Sequence, residues 1–411
     1  MSPLGRPPVL LDIVEEHFEE LDFLWELREG VLFAPDWNLE ELAELEERAE
    51  AHLDGLRLAE AHAVDIARPA LTGEEIFAAT AATFVFMETG VPELAAEVIE
   101  AFEAAADGAR DGIRIGFRHS RIDAIAERLA ALARQGEPPV AAAAADVLAF
   151  HRNAVPEIRR LLEGEDLGSQ VLAYGTLGRL GLLREPDLAA ALESESEELR
   201  RAALEAAARS GLPGLGTACR RAASRRTTPD AQALAFLGVL GDPADASVLQ
   251  AALAQPGLAD AALRGLGALG RVEAIPSLIA LMENPDLALA AGAAFQRITG
   301  AEDIEAEKPA PPPADEGTEE EEFADDTPPP DPARAQAYWS EHQAAFDPSG
   351  RWQAGQEVSA DPLGAAFNAL TLEARRDSYL GARARSSSTV PDLELELRAL
   401  LQLGESGKVS T

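Results

Sequence analysis

One histidine and one aspartate in this sequence have side chains that could transfer protons. His52 and Asp54 lie two residues apart in a predicted helix. As a functional pair they would form an acid–base pair or a polar recognition point. As a structural feature, His52 would be a buried histidine that fixes a helix pair, its ring N–H bonded to a carboxylate or a carbonyl. We favour the structural interpretation, because buried polar groups usually have structural partners.

A second histidine, His17, is surrounded by possible metal ligands. Glutamates flank it at positions 15, 16, 19 and 20. These acids point in several directions around a helix, and no Glu-x-x-His spacing occurs anywhere in the chain. Because the ligands of a metal must converge on one point, we predict a solvated helix face at His17 and no metal site.

Other catalytic patterns are absent from the sequence. It contains no P-loop, no serine-centred elbow and no Rossmann glycine pattern. No histidine is followed by glutamate, the dipeptide of HEAT-like di-iron hydroxylases. A small-molecule site like that of the bilin lyases stays open, but no cluster of nucleophile, base and orienting group is visible. We therefore predict no catalytic residue and no cofactor.

Arginines and tryptophans supply the candidate partner contacts. A dense basic island consists of Arg220, Arg221, Arg225 and Arg226. We favour ordinary exposed charge for this island; the alternative is a docking surface for an acidic segment, such as the chain's own 319–326. Aromatic side chains concentrate binding energy at interfaces, which makes Trp25, Trp339 and Trp352 candidates too. For Trp25 we favour a place in the core of the first helix pair.

The elements that position these residues follow from an internal repeat. Five glycines recur at intervals of 29 or 30 residues: Gly181, Gly211, Gly241, Gly270 and Gly300. Each ends a segment in which apolar residues recur at i, i+3, i+4 and i+7, the spacing of amphipathic helices. We predict two short helices per unit and a left-handed glycine cap at the end of each second helix. Alanines in the second helices would let neighbouring helices approach closely.

Helix pairs of this size cannot bury their apolar faces alone. Stacking of successive pairs buries a continuous core, so we predict an all-α fold, a right-handed α-solenoid of HEAT-like pairs with a period of about 30 residues. We divide the chain into an N-terminal helical module, degenerate repeats, a regular repeat array, a disordered acidic linker and a C-terminal helical capping unit. Their bounds are 1–71, 72–153, 154–300, 301–332 and 333–404.

The sequence also predicts three local features: a capped helix, a structured loop and three C-terminal helices. Asn38 is predicted to cap a long helix that runs to about Ala67. Residues 346–355, with two glycines and a tryptophan, are predicted to form a structured loop. The capping unit is predicted to end in three helices, at 361–370, 371–386 and 390–403.

Composition narrows the classes of function. The chain has 411 residues and a formal net charge of -37, which argues against binding to nucleic acid or an anionic membrane. The single cysteine, Cys219, excludes an internal disulfide and any multi-cysteine metal site, and it suits a reducing compartment. No leader segment is visible, and the longest apolar run, 76–87, is too short to span a bilayer. We predict a cytoplasmic protein.

The order of features resembles an uncharacterised proteobacterial family of HEAT-repeat proteins. The residues that carry the resemblance are the Ala51-His-Leu-Asp-Gly-Leu56 core, Phe23-Leu-Trp-x-Leu-Arg28, and the Arg297-Ile-Thr-Gly300 end of the array. Trp339 and the Gly350-Arg-x3-Gly355 loop also fit. The resemblance adds Arg28 to the candidate partner contacts. Members are often encoded beside spike, adaptor or effector genes of type VI secretion systems, and this setting is what the resemblance implies.

These observations predict a non-catalytic scaffold or adaptor for protein–protein interaction. The resemblance implies that the partner is a type VI secretion effector, adaptor or spike component. One alternative is an immunity-type inhibitor whose acidic surface neutralises a basic toxin. Another is a HEAT-like lyase acting on a small molecule, which would require a deep polar pocket with perturbed titratable groups.

Overall fold

The computed structural model of the chain describes residues 9–153, 155–225, 231–255, 257–306, 328–358, 365–386, 390 and 392–403. Most of these residues are helical, and their named strands form one short antiparallel pair, so the all-α prediction is confirmed. Two compact units are present. The first holds the described residues up to Leu215, Thr371–Arg376 and the described residues from Ala382 onward. The second holds Gly216–Leu370 and Asp377–Gly381.

The first unit begins with an N-terminal group of helices and continues into shorter ones. Its helices are α1 (Leu11–Val31), α2 (Leu39–Ala59), α3 (Ala61–Ala67), α4 (Ile76–Glu88), α5 (Pro92–Ala104), α6 (Asp107–His119), α7 (Ala126–Gln135), α8 (Pro138–Phe150), α9 (Leu167–Arg179), α10 (Glu185–Leu192) and α11 (Glu197–Arg209). Two 3-10 helices, Arg68–Thr72 and Pro156–Glu163, connect them.

The second unit continues the pattern of short helices. Its helices are α12 (Leu215–Arg225), α13 (Ala231–Leu240), α14 (Ala246–Ala252), α15 (Ala259–Leu269), α16 (Ile275–Leu281), α17 (Ala288–Thr299), α18 (Pro332–His342) and α19 (Ala365–Asn368). Three 3-10 helices lie at Pro243–Asp245, Val272–Ala274 and Gln343–Ala345. The strands are β1 (Trp352–Gln353) and β2 (Gln356–Glu357), and α20 spans Leu372–Ser386.

The start of α2 is as predicted, but its end is not. The Asn38 side chain accepts hydrogen bonds from the N–H groups of Glu40 and Glu41, and Glu41 accepts one from the Asn38 N–H, which completes a capping box. The predicted helix to Ala67 is broken at Glu60, whose φ of 51° and ψ of -118° are not helical. A new helix, α3, begins immediately afterwards.

The second helices of the repeats pack against one another in chain order. In the first unit, α4, α6, α8, α9 and α11 contact one another consecutively; in the second unit, α13 contacts α15 and α15 contacts α17. Small residues permit this closeness, as predicted. A Cβ added at Gly178 on α9 would lie 2.6 Å from the Ala206 Cα on α11.

The predicted left-handed caps are confirmed. All five repeat glycines have φ between 60° and 72°. At the first of them, the Leu182 N–H donates to the Leu177 carbonyl at 2.8 Å, the 6→1 bond of a Schellman motif. The helix before this array, α8, ends in the same way at Arg152, with φ of 62°. There an arginine occupies the conformation that glycine takes in the later repeats.

A loop in the second unit covers the ends of two repeat helices, which confirms the predicted structured loop. The Trp352 N–H donates to the Gly270 carbonyl at 2.8 Å, and the Ala354 N–H to the Arg297 carbonyl at 2.7 Å. The Gln353 amide also donates to the Gly267 carbonyl at 2.8 Å. These bonds satisfy carbonyls that the last helical turn leaves without an intrahelical partner.

The predicted acidic linker falls mainly on residues 307–327, which lie outside the described residues. Its two described ends pair with each other. The Ala306 N–H donates to the Pro329 carbonyl at 2.9 Å, and the Asp331 N–H to the Ile304 carbonyl at 2.6 Å. Ile304 is buried, so both ends of the segment are held against the second unit.

The predicted helix at 390–403 is wrong over most of its length. Residues 392–398 are not helical, and a helix begins only at Ala399. We call residues 392–398 the strap. Its backbone and side chains bind helices of the first unit, and the acids among its residues point into that unit.

Candidate functional site

The structure does not bring His52 and Asp54 together. The Nδ1 atom of His52 lies 3.2 Å from the Nδ1 atom of His17, so one ring donates a hydrogen bond and the other accepts it. Asp54 is exposed and pairs with Arg57. The geometry therefore does not support the acid–base alternative. His52 joins α2 to α1, as the favoured structural interpretation expects, but through a histidine and not through a carboxylate or a carbonyl. The solvated face predicted at His17 is wrong, because this side chain is half-buried. Gly55 makes room for it, since a Cβ there would lie 2.6 Å from the His17 ring.

Trp25 and Arg28 are core residues of the first unit. Trp25 is 3% exposed, as we favoured, and its ring centroid lies 4.6 Å from that of Phe84. Arg28 is 2% exposed and donates to Glu46 at 2.8 Å. Neither side chain can reach a partner protein in this conformation, so the structure contradicts their prediction as partner contacts.

The arginine island is only partly described. Arg220 donates from Nε to Asp245 at 2.7 Å and pairs with Asp242 at 2.5 Å. Arg221 and Arg225 are exposed, and Arg226 lies outside the described residues. Two carboxylates therefore already neutralise the guanidinium of Arg220, which weakens the case for a docking surface there.

Trp339 and Trp352 belong to one aromatic cluster in the second unit. Phe346 lies between them, 5.4 Å from the Trp339 ring and 4.7 Å from the Trp352 ring, measured between centroids. Trp352 is buried, and its indole N–H donates to the Asp347 carbonyl at 3.0 Å. Trp339 is half-buried and keeps part of its ring available.

The first unit contains a cluster of buried charges that the sequence did not predict. We call it the buried charge cluster. Its members are Arg114, Arg118, Arg179, Arg209, Asp146, Glu394 and Glu396. Asp146, at its centre, is 0% exposed. Its carboxylate meets Arg114 at 2.9 Å, Arg118 at 2.9 Å and Arg179 at 2.5 Å.

The strap supplies the two glutamates of this cluster. Arg179 donates from Nε to Glu394 at 2.9 Å and from a terminal nitrogen to Glu396 at 2.7 Å. Arg209 reaches Glu394 at 3.1 Å, and Arg118 reaches Glu396 at 2.7 Å. Four arginines thus face three carboxylates, two of which come from the strap.

The charges of this cluster hold one another ionised. Burial opposes ionisation of Asp146, but the charges of Arg118, Arg179 and Arg114 outweigh it and lower its pKa to about 2. The same opposition between burial and arginine charge lowers the pKa of Glu394 and of Glu396. Groups fixed in this way do not exchange protons near neutral pH, so the cluster is suited to holding a segment and not to acid–base catalysis.

Two sequence signals could have revealed this cluster. Arg179 and Arg209 each lie two residues before a repeat glycine, a shared position on two successive second helices. The strap alternates acids with leucines over Asp392-Leu-Glu-Leu-Glu-Leu397, a period of two that indicates extended chain and not helix. The contact between the two segments had no signal of its own.

A separate groove lies in the N-terminal part of the first unit. Its volume is about 470 Å³, and we call it the α2–α5 groove. It is lined by Leu53, Leu56, Arg57, Glu60, Ala61, Val64, Val85, Glu88, Thr89, Val91 and Leu94. Four of its apolar residues, Leu53, Leu56, Val64 and Val85, are buried and form the floor, while Val91 at its edge is 41% exposed.

Acidic side chains surround this groove. Arg57 pairs with Glu50 at 2.6 Å, with Glu88 at 3.1 Å and with Asp54. Arg398 also pairs with Glu50, at 2.7 Å, so two guanidinium groups meet these three carboxylates. Glu60 adds a fourth acid, which leaves the rim anionic. Glu60, also on the rim, holds the positive φ that ends α2. Strained backbone of this kind costs about 1–3 kcal/mol and is concentrated at functional sites.

Metal and membrane chemistry have no visible support in the part of the chain described. There, no group of three or more His, Cys, Asp or Glu side chains is arranged to hold a metal ion. Within the same ranges, no helix combines the length and apolar composition needed to cross a membrane. Cys219 is buried, and burial raises the pKa of its thiol to about 12.

No family model and no curated protein sequence matches this chain. The resemblance to a HEAT-repeat family therefore stays a prediction.

Proposed function

We propose that this chain is a non-catalytic scaffold that binds another protein through the α2–α5 groove, and that the partner presents a basic amphipathic helix. The observation that carries the proposal is the chemistry of the groove, a buried apolar floor inside an anionic rim. Amphipathic helices bind grooves through apolar anchors on one face, and lysine or arginine on the flanks would meet the acidic rim.

The charge of the surrounding module supports a basic partner. Residues 1–66 contain eighteen acids and four arginines. Opposite charges accelerate the encounter and fix the orientation of a bound helix, and the apolar lining of the groove contacts its apolar face. An anionic partner would be repelled before it reached the floor.

We also propose how the helices are arranged, where the protein is located and what kind of partner it binds. We propose that the helical pairs form a right-handed HEAT-like α-solenoid, which the consecutive contacts of the second helices support. We also propose a cytoplasmic location, which a single cysteine favours. The resemblance supports a narrower proposal, that the partner is a type VI secretion effector, adaptor or spike component.

Two other functions use the same groove. An immunity-type inhibitor of a basic toxin is supported by the same acidic rim, and neutralisation of a toxin by the purified chain would distinguish it. A lyase acting on a small molecule is supported by the groove volume, which lies in the range of ligand pockets. Against a lyase, burial opposes the charge of Arg57 but its hydrogen bonds and nearby acids raise its pKa, so it cannot donate a proton.

The direct test is a binding titration with a defined peptide. The probe is a fluorescent amphipathic helix of leucine and lysine, about 15 residues long, compared with a scrambled peptide of the same composition. We expect wild type to prefer the amphipathic peptide. Glu88→Lys should weaken binding about tenfold, or 1.4 kcal/mol, and Val91→Ser should weaken it less. Glu283→Lys, the same charge change at an exposed residue of the second unit, is the control.

Equal binding of both peptides would mean non-specific charge attraction, and equal binding by all variants would place the site elsewhere. Either result would refute the groove as the binding site. An affinity pull-down at two salt concentrations then tests the narrower proposal. Recovery of a secretion spike, adaptor or effector would support it, and recovery only of chaperones with a co-purifying small molecule would favour the lyase.

A further inference from the structure

The strap is held in the way that a bound peptide is held. Arginines pair with its carboxylates and also donate hydrogen bonds to its backbone carbonyls. The Arg209 guanidinium donates to the Leu393 carbonyl at 3.0 Å, and the Arg28 guanidinium to the Glu396 carbonyl at 2.8 Å. Arg152 pairs with the Asp392 carboxylate and donates to its carbonyl at 3.2 Å.

The spacing of the carboxylates matches the spacing of the arginines. Asp392, Glu394 and Glu396 are alternate residues of the strap, which turns after Glu394, where the Leu397 N–H donates to the Glu394 carbonyl at 3.2 Å. Asp392 pairs with Arg152, and Glu394 pairs with Arg179 and Arg209. Glu396 pairs with Arg118 and Arg179. The arginine-lined surface therefore recognises an acid at every second position.

The leucines of the strap are not buried as they would be in a core segment. Leu393, Leu395 and Leu397 are only half-buried, as is Glu396, whereas Glu394 is buried and Asp392 is exposed. The strap is thus held by charge more than by apolar contact. The cost of removing buried charges from water offsets most of their attraction, so such a contact contributes less net free energy than an apolar one of equal area.

Space remains beside the strap. A cavity of about 180 Å³ lies next to Glu396 and is lined by Arg118, Asp146, Arg179, Arg209 and Glu205, among others. If the strap left, the four arginines would face three carboxylates of this unit, those of Asp146, Asp111 and Glu205. That surface would then carry a net positive charge in a chain whose total is -37.

From these contacts we propose that the arginine-lined surface of α6, α8, α9 and α11 is a second protein-binding site, whose ligand is a non-helical acidic segment with carboxylates at alternate positions. The strap is the intramolecular occupant of this site, and an acidic segment of a partner protein replaces it. This site takes a ligand of opposite charge to that of the α2–α5 groove, so the acidic and the basic peptide test the two sites separately. The strap touches that groove through Arg398, which pairs with Glu50 at 2.7 Å.

The test uses the full chain and the strap sequence itself as the probe. The probe is a fluorescent peptide of residues 390–400, Val-Pro-Asp-Leu-Glu-Leu-Glu-Leu-Arg-Ala-Leu, and the control peptide has glutamine at both glutamate positions. The receptor variant is Glu394→Gln with Glu396→Gln, which weakens the internal occupant. A tethered occupant competes at an effective concentration in the millimolar range. We therefore expect this variant to bind the acidic peptide at least tenfold more tightly than wild type does.

The arginines are tested in the same background. Adding Arg179→Ala to the receptor variant should lower its affinity for the acidic peptide at least tenfold, while adding Arg220→Ala, a paired arginine of the second unit, should leave it unchanged. A receptor variant that keeps its circular dichroism spectrum but binds no acidic peptide would overturn the proposal. Equal binding of the glutamine peptide would overturn it as well.

A measurement on the wild-type chain covers the case in which the receptor variant fails to fold. Excess acidic peptide should accelerate hydrogen exchange at the strap amides, because the displaced strap loses its contacts. The glutamine peptide should leave this exchange unchanged. No acceleration by the acidic peptide would mean that the strap is a fixed part of the fold, which would overturn the proposal.

Discussion

Replacing the central carboxylate of the buried charge cluster should destabilise the first unit strongly. Asp146→Asn keeps the size of the side chain and removes the charge that meets Arg114, Arg118 and Arg179. Those three guanidinium groups would lose the counter-charge that they share. Removing one partner of a buried ion pair typically costs about 3–5 kcal/mol.

The lowered pKa of Asp146 gives a second, smaller figure for the stability lost when its charge is removed. Its pKa is lowered from 3.8 to about 2 in the folded chain. Each pKa unit corresponds to about 1.4 kcal/mol, so ionisation of this one group favours the folded state by about 2 kcal/mol at neutral pH. Because the folded pKa is the lower one, this stabilisation is complete above about pH 4 and is lost as the pH falls towards 2.

Thermal and urea unfolding of the two proteins at pH 7 measures the effect. We expect a loss of about 2–5 kcal/mol for Asp146→Asn, or roughly 4–15 °C in the melting temperature of a unit of this size. Asp111→Asn is the matched control, because Asp111 is half exposed and pairs with Arg114 alone at 3.2 Å. An exposed pair of this type contributes about 0–1 kcal/mol.

The difference between Asp146→Asn and wild type should shrink as the pH falls from 4 towards 2. If Asp146→Asn matched the Asp111→Asn control at pH 7, the carboxylate would not hold the cluster together. If the difference did not change with pH, its origin would be packing and not charge. Either result would refute the electrostatic account of this site.

Three further predictions concern single side chains. Burial first, and Asp245 second, raise the pKa of Cys219 to about 12, so thiol reagents at pH 8 should modify it at least 100-fold more slowly in the folded chain than in urea. Burial and then nearby arginines lower the pKa of His119 well below 6.5. Stability should therefore fall as the pH drops below about 6.5, and His119→Phe should flatten urea-unfolding free energies measured between pH 5 and 7. Gly55→Ala should cost about 1–3 kcal/mol of unfolding free energy in wild type, because its Cβ would meet the His17 ring, but little in a His17→Ala background.

The repeat could be predicted because its signals are local. Each repeat glycine lies at the end of an apolar helix pattern, and the φ angle that only glycine adopts easily explains why it recurs. The end of α2 had no such signal, since no glycine or proline lies near Glu60. After the break, α3 packs against α1 and α4, and contacts between elements so far apart in the chain have no local signal in the sequence.

The buried charge cluster illustrates a different limit. Its partners are far apart in the chain, as with Arg179 and Glu396, which are separated by 217 residues. Nothing in one sequence shows which arginine meets which acid. The local part of the signal was present, because acids and leucines alternate from Asp392 to Leu397. The leucines of this stretch favour a helix, whereas the alternation of acids and leucines with a period of two does not.

The loop of the second unit and Arg383 of the first unit both satisfy backbone carbonyls at the ends of repeat helices. Helices that pack side by side and end at one edge leave a row of carbonyls without intrahelical partners. In the second unit, backbone N–H groups of residues 352–355 donate to the ends of α15 and α17. In the first unit, Arg383 donates to the Arg209 carbonyl at the end of α11, at 2.7 Å.

Arginine is favoured at such an edge for a second reason. The C-terminal end of a helix carries partial negative charge, which stabilises a cation in the last turn. Arg118, Arg179 and Arg209 all lie in last turns, on α6, α9 and α11. Because these helices pack closely, their arginines gather at one place, and so much positive charge cannot stay buried without acids. The stacking of these helices therefore creates a surface that binds acids whatever the ligand is. The strap is the segment of this chain that fits this surface.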